Sequence, residues 1–229
     1  MHNLPDLSPV IDDLRERRLA ANAGATVVSV SGIDASGKGY VAAQLLAGLR
    51  AAGLRTMLLG IDEWLTPLNR RIQSDDPAHS FYRHAIRFDE LFDGLIEPLR
   101  RGGGADLRAT LWGPHGVPVV REFHPRRIEV VLVEGIFLLR RDLLARVDRR
   151  IWIDCSWRTA LERALRRNQE CLPPASIAHD YRTIYFPAQV HHFRLDEPRA
   201  HADTLLVNDP RLRHTQCAPA DSTSPLPWA

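Results

Sequence analysis

Ser31-Gly32-Ile33-Asp34-Ala35-Ser36-Gly37-Lys38-Gly39-Tyr40 is the stretch on which the reading of this 229-residue chain turns. Lys38 is its only lysine: of 30 basic Lys and Arg residues, the other 29 are arginine. Arginine replaces lysine readily as a solvated surface charge. It does not replace it in a tight loop, where a compact ammonium fits between phosphate oxygens and a planar guanidinium is too wide. Gly32-x-x-x-x-Gly37-Lys38 has the spacing of a phosphate loop, in which glycines let backbone N–H groups converge on an anion and the next helix points its N-terminus at it. The flanks agree with that pattern. Thr26-Val27-Val28-Ser29-Val30 reads as a buried strand before the loop, and Val41, Leu45, Leu46 and Leu49 recur at helical spacing behind it.

The loop departs from the common pattern at one position. After the lysine a Ser or Thr hydroxyl would ligate Mg²⁺, and here Gly39 stands instead. Phosphates can still be cradled, so the metal must be held by other groups or through water.

Outward from the loop, four more apolar runs follow: Thr56–Gly60, Val130–Val133, Ile151–Ile153 and Thr204–Val207. Helical stretches separate several of them, notably Phe88 to Arg101 and Trp157 to Asn168. Near-continuous apolar strands alternating with helices predict an α/β fold with a parallel five-stranded sheet covered on both faces. Residues 1–22 read as an N-terminal amphipathic helix from Ser8 to Ala20, with Ser8 as cap and Pro9 in its first turn. Residues 23–210 form the main domain, with a small helical lid, and 211–229 read as a disordered tail rich in Pro, Ser and Thr. Gly102 to Pro125, punctuated by Gly102-Gly103-Gly104 and Gly113-Pro114, reads as a loop or irregular hairpin outside the core.

Composition narrows the partners. A formal net charge of +2 does not argue for a nucleic-acid or membrane surface. Cys155, Cys171 and Cys217 are an odd set without C-x-x-C spacing, which points to neither a disulfide framework nor a zinc site and suits a reducing cytoplasm. Charged residues from Asp12 to Arg18 stand where a signal peptide would need an apolar core.

In open parallel sheets, ligands sit beyond the carboxyl ends of the strands, so acidic residues there are candidates for chemistry. Asp62 follows the second strand and is placed to accept the proton of an attacking hydroxyl. Glu134 ends Val130-Val131-Leu132-Val133-Glu134, where its carboxylate can hold Mg²⁺ directly or through water, with Asp62 as a second metal candidate. Asp154 reads as a cap for the helix near Trp157. On that helix Arg163 and Arg167 are four apart and share a face, from which a pair of guanidinium groups would reach a nucleotide.

Together these residues resemble the uridine kinase branch of the P-loop kinases, related also to phosphoribulokinase and bacterial pantothenate kinase. The loop is similar to that family's Gly-x-x-x-Ser-Gly-Lys element, and Asp62-Glu63-Trp64 resembles its Asp-x-Phe-Tyr, where the aspartate is the catalytic base. His84-Ala85-Ile86-Arg87-Phe88-Asp89 resembles the stretch leading into the helix over the acceptor site. Tyr185-x-Pro187-x-Gln189 and Ala202-Asp203-Thr204 through Asn208 resemble the closing segment and last strand. The resemblance runs from about Val27 to Pro210. It implies a kinase using ATP and Mg²⁺, with Lys38 and Asp62 catalytic, Gly32, Asp34 through Tyr40, Arg163 and Arg167 on the nucleotide, and Trp64, His84, Asp89, Trp112 and His115 toward a small-molecule acceptor such as a nucleoside. It is compatible with a homo-oligomer. The match is worst from Asp106 to Phe123, where Trp112-Gly113 replaces the family's Tyr-Asp and His115 is the nearest substitute for a base-reading histidine; Asn168 replaces an aspartate after the lid arginine. Two alternatives stay open: a non-catalytic nucleotide-binding protein, and a kinase acting on pantothenate, a sugar or a sugar acid. A GTPase switch that reads guanine through an Asn-Lys-x-Asp motif is excluded, because that motif needs a second lysine.

Overall fold

The computed structural model describes residues 6–20, 24–72, 75–112, 117–169 and 171–212. His115, Cys217 and most of the expected tail, 213–229, lie outside them.

The five apolar runs form one sheet. Its strands are β1 (Thr26–Gly32), β2 (Thr56–Gly60), β5 (Val130–Gly135), β6 (Arg149–Asp154) and β7 (Thr204–Val207), in the order β2-β5-β1-β6-β7. Every adjacent pair is parallel, with Val28 opposite Leu132 and Val30 opposite Ile151. Because side chains alternate along a strand, both faces need cover, and two apolar cores supply it. Val28, Val30, Val130, Leu132, Ile151 and Ile153 pack with Val10 and Leu14 of helix α1 (Ser8–Ala20) and with Val41, Leu45 and Leu49 of helix α2 (Lys38–Ala51). Val27, Leu59, Val131, Val133 and Trp152 belong to the larger core on the opposite side.

After α3 (Leu68–Arg71), that larger core draws on the short helices α4 (Pro77–His84), α5 (Phe88–Leu91) and α6 (Glu97–Gly102) before the hairpin, then α7 (Trp157–Arg167), α8 (Pro174–Asp180) and α9 (Phe186–Asp196). The expected helix from Phe88 to Arg101 is continuous but contains a π-turn at Phe92–Ile96, and a second π-turn, Tyr181–Tyr185, joins α8 to α9. The second of these places tyrosines beside the site described below.

Three expectations change. Ser8 is the first helical residue of α1, and the Asp6 carboxylate takes its N–H at 2.9 Å. Asp154 does not cap α7; Ser156 does, accepting from the Thr159 N–H, while Asp154 binds the Trp152 indole N–H and Arg199. Such a cap contributes about 1 kcal/mol. Finally, the stretch from Gly102 to Pro125 contains a regular antiparallel hairpin, β3 (Leu107–Trp112) and β4 (Pro118–Phe123), in register from Leu107 opposite Phe123 to Trp112 opposite Pro118. Its period-two pattern puts Ala109 and Leu111 into the core, so one face of the hairpin is structural.

Candidate active site

The chain leaves β1 and turns through the loop before entering α2. Gly32 lies against β6, where an added Cβ would come within 2.7 Å of the Ile153 carbonyl oxygen. Ser36 N–H bonds the Ile33 carbonyl at 3.1 Å, and Gly37, with φ 94°, caps the helix without a side-chain bond. A Cβ on Gly37 would lie 2.2 Å from the Asn208 amide nitrogen, which itself donates to the Ser36 carbonyl at 2.8 Å. Left-handed backbone and close approach together require glycine there. The first N–H groups of α2 have no acceptor within the helix, and with the helix dipole they form an anion-binding end. Lys38 is 8% exposed, and its Nζ donates to the Ile33 carbonyl at 3.1 Å across the loop.

Around this end lies a cleft of about 600 Å³. Asp34, Gly37, Lys38, Gly39 and Tyr40 form its loop side, and Asp62 and Glu134 stand at the ends of β2 and β5. Parallel pairing of β2 with β5 brings the two carboxylates together, though 72 positions separate them in the chain. Burial raises the Glu134 pKa, with Lys38 opposing and Asp62 and Asp34 adding to the rise. Asp62 presents an exposed edge to the cleft, yet the surrounding walls displace bulk water and raise its pKa; Asp34 adds to the rise, and Lys38, Arg167 and Arg71 oppose it. Crowded carboxylates held beside a lysine suit a divalent cation.

The loop aspartate is clamped from the π-turned segment and α9. Tyr181 donates to one Asp34 oxygen at 2.6 Å, Ala35 N–H to the other at 2.7 Å, and the Asp34 N–H is taken by Gln189 Oε1 at 2.7 Å. Tyr181 and Gln189 are both buried. Tyr181 is not among the expected site residues, and nothing in its local sequence marks it.

Arg163 and Arg167 of α7 take different places. Arg167 lines the cleft and lies 3.9 Å from Asp34. Arg163 turns to the back of the loop, where its Nη1 donates to the Ser36 carbonyl at 3.1 Å and approaches the Cys155 sulfur at 3.6 Å. It therefore braces the loop instead of reaching over a nucleotide. Burial pushes the Cys155 thiol up to about 12, with the Arg163 charge opposing the rise.

The acceptor end differs most from expectation. Trp64 is fully buried, its ring 6.0 Å from that of Phe123 under the hairpin, because a β-bridge to Trp112 draws it inward. Trp112, His84 and Asp89 do not line the cleft. His84 is exposed and contributes its carbonyl to Thr66 Oγ1, and Asp89 is an exposed residue in the first turn of α5. Their places are taken by Leu65, Arg71, Phe81, Ile86, Ile136 and Tyr185.

Gly39 can now be read from its geometry. Its φ is not positive, and the nearest atoms to an added Cβ would be those of the Glu134 carboxyl, at an ordinary contact distance of 3.8 to 3.9 Å. A side chain is sterically allowed. Gly39→Ser is expected to lower the Mg²⁺ concentration for half-maximal nucleotide binding by roughly fivefold, the scale of one added oxygen contact, with turnover no slower. Calorimetric titration of Mg·ATP checks this; weaker binding by the serine variant would mean that the loop needs its bare backbone.

No protein-family model matches the sequence, and no curated protein matches it. Solved structures do. A possible uridine kinase from Bacillus stearothermophilus superposes with a TM-score of 0.66 at 21% identity, covering 87% of this chain and 98% of that one. A candidate fructose transport system kinase from Silicibacter sp. TM1040 gives 0.68 at 20%, covering 88% and 98%. D-glycerate 3-kinase from Cryptococcus neoformans gives 0.55 at 14%, covering 82% and 86%. All three bear the names of kinases, and this chain shares their fold.

Proposed function

We propose that the protein is an ATP-dependent kinase that transfers the γ-phosphoryl group to a hydroxyl of a small molecule. The observation that carries this reading is the convergence of Lys38, Asp62 and Glu134 on one cleft at the head of α2. A domain that only bound nucleotide would have no use for an acid beyond the loop at the end of β2.

In the reaction, the acceptor hydroxyl gives its proton to Asp62 as its oxygen bonds to the γ-phosphorus, and the bond to the β-phosphate oxygen breaks to release ADP. Lys38 and the α2 N–H groups hold the phosphates, and Arg167 lines the same cleft to offset negative charge. Glu134, with Asp62 beside it, fits Mg²⁺, an ion that is commonly held by one or two carboxylates, substrate phosphates and its own waters. When bound, the ion neutralises charge between phosphate oxygens. The serine or threonine that usually assists is replaced here by Gly39.

The raised pKa of Asp62 sets the pH dependence. A base with a raised pKa stays protonated further up the pH scale, so kcat should climb with pH through a limb lying above the ordinary aspartate range near ~4. Because Asp62 and Glu134 influence each other, the limb belongs to the pair. A pH–rate profile checks it, and full activity down to pH ~4 would remove Asp62 as an ionised base.

The test of the function is ATP consumption against a panel of nucleosides, sugars, sugar acids and pantothenate. The neighbours' names favour no single member of that panel. Tight Mg·ADP binding with no ATP consumed in any reaction would favour the non-catalytic alternative.

A further inference from the structure

The larger core holds a carboxylate and an imidazole that phosphoryl transfer does not use. Asp196 ends α9 and is buried, with Oδ2 accepting from the Tyr82 hydroxyl at 2.5 Å and pairing with His192 Nδ1 at 2.7 Å, while Oδ1 accepts from the Arg141 N–H at 3.0 Å. Burial alone would raise its pKa, yet the bonds from His192, Tyr82 and the Arg141 N–H outweigh that and hold it below the ordinary aspartate range. An ionised Asp196 can only accept, so His192 carries its proton on Nδ1. Its other nitrogen is the anomaly. His192 is 2% exposed, and among the described residues its Nε2 has no hydrogen-bond partner. Rings enclose it instead: Phe137 at 5.5 Å, and Tyr82 and Trp152 at 6.2 Å between centroids.

The surrounding charges do not supply what Nε2 lacks. Burial holds the imidazole below the ordinary histidine range, with Asp196 opposing. From the segment after β5, Arg140 acts against protonation and Asp142 for it, and these two are bonded to each other at 2.9 Å. The strand β6 presents Trp152, whose indole N–H is committed to Asp154. A second proton, taken from solvent onto Nε2, would create a buried N–H with only rings to face, and Asp196, which already has three donors, would gain no new bond. Solvating that N–H requires α9 and α4 to part.

That joint leads to the cleft. Gln189, His192 and Asp196 are spaced three and four apart and are all buried on α9. Gln189 takes the Asp34 N–H of the phosphate loop, His192 and Asp196 fasten the same helix to α4 through Tyr82, and α4 carries Phe81 into the cleft wall. We propose that Tyr82, His192 and Asp196 form a pH-operated latch: while His192 is neutral it clamps α9 onto α4 and keeps Gln189 on the phosphate loop, and protonation at Nε2 opens the joint and weakens nucleotide binding without unfolding the sheet. This goes beyond the kinase reading and needs from it only that the loop binds nucleotide. A histidine held below its unfolded value near ~6.5 stabilises the fold while neutral; that contribution is complete above about pH 6.5 and is lost as pH falls below it, whereas Asp196 loses its own only below about pH 4.

The test compares the full-length protein with His192→Asn, whose amide can donate to Asp196 in place of Nδ1 and does not titrate. His192→Phe, which keeps a ring among rings, serves if the asparagine variant does not fold. Mg·ADP affinity is measured by calorimetry at about pH 7.5 and about pH 5.5, on either side of the ordinary histidine value. The expected result is a loss of affinity at the lower pH that is roughly tenfold larger in the wild type than in the variant, the factor that one pH unit of linkage carries. Titration of ADP, Asp62 and Glu134 is common to both proteins and cancels. Hydrogen exchange, corrected for its intrinsic pH dependence, should speed up in α4 and α9 of the wild type at the lower pH while β1 and β5 stay protected. The same pH dependence in wild type and variant overturns the latch, as does faster exchange in α4 and α9 with no change in Mg·ADP affinity. Exchange that rises equally in the sheet overturns it too, since the transition is then global. If neither protein binds Mg·ADP at either pH, the nucleotide reading fails, and with it the link from latch to loop.

Discussion

Lys38→Arg is expected to abolish phosphoryl transfer, with a fall in kcat/KM on the order of a thousandfold or more, while the protein remains folded. In most surface settings this is the mildest of substitutions, and the chain uses arginine at every other basic position among its Lys and Arg residues. Here the side chain is 8% exposed, anchored to the Ile33 carbonyl, and set between a glycine-capped helix start and the Asp62–Glu134 pair. A guanidinium is wider and planar, and it would enter the space that the β- and γ-phosphates need. Steady-state kinetics measured beside far-UV circular dichroism and a thermal melt separate lost chemistry from lost fold. Near-normal turnover by the arginine variant would remove Lys38 from the centre of the site.

Asp62→Asn should lower kcat by roughly a hundredfold or more and leave ATP binding nearly unchanged, as expected when a general base is removed without disturbing the ground-state complex. The asparagine preserves shape in the turn after β2 but cannot take the proton. It should also abolish the acid limb of the pH profile. Glu134→Gln is the counterpart: it should raise the Mg²⁺ requirement, because a neutral amide is a poorer ligand for a hard cation than a carboxylate. Mg²⁺ titrations of the two variants measure the division of labour. Superimposable curves would show that base and metal roles are shared between the two carboxylates.

Trp64 and Arg71 illustrate where local reading runs out. Trp64 follows Asp62 by two positions, and its neighbourhood in the chain suggests a place near the acceptor. The backbone bridge to Trp112 and the stack on Phe123 pull it under the hairpin instead. Arg71 carries no local mark at all, being one arginine of 29. It reaches the cleft because α3 and α4 fold back over the sheet, an outcome decided by buried Phe81, Tyr82 and Ile86 rather than by its own neighbours in sequence. Arg163 and Arg167 lie on one helix, as their spacing predicts, but only the position of α7 beside the loop shows that one braces the Ser36 carbonyl and the other lines the cleft.

The features legible in the chain are those governed by short-range chemistry. A phosphate loop is specified within about nine residues, because glycine conformation and helix polarity act over a single turn. Strands buried on both faces announce themselves by unbroken apolar runs, and the rule that ligands gather at their carboxyl ends is enough to single out Asp62 and Glu134. Tertiary packing alone settled which side chains share the cleft: the clamp of Tyr181 and Gln189 on Asp34, the burial of Trp64, the arrival of Arg71, and the ordinary φ of Gly39. These depend on contacts between residues far apart in the chain, whose energies are set by the shape of the whole core and leave no periodic trace in the sequence.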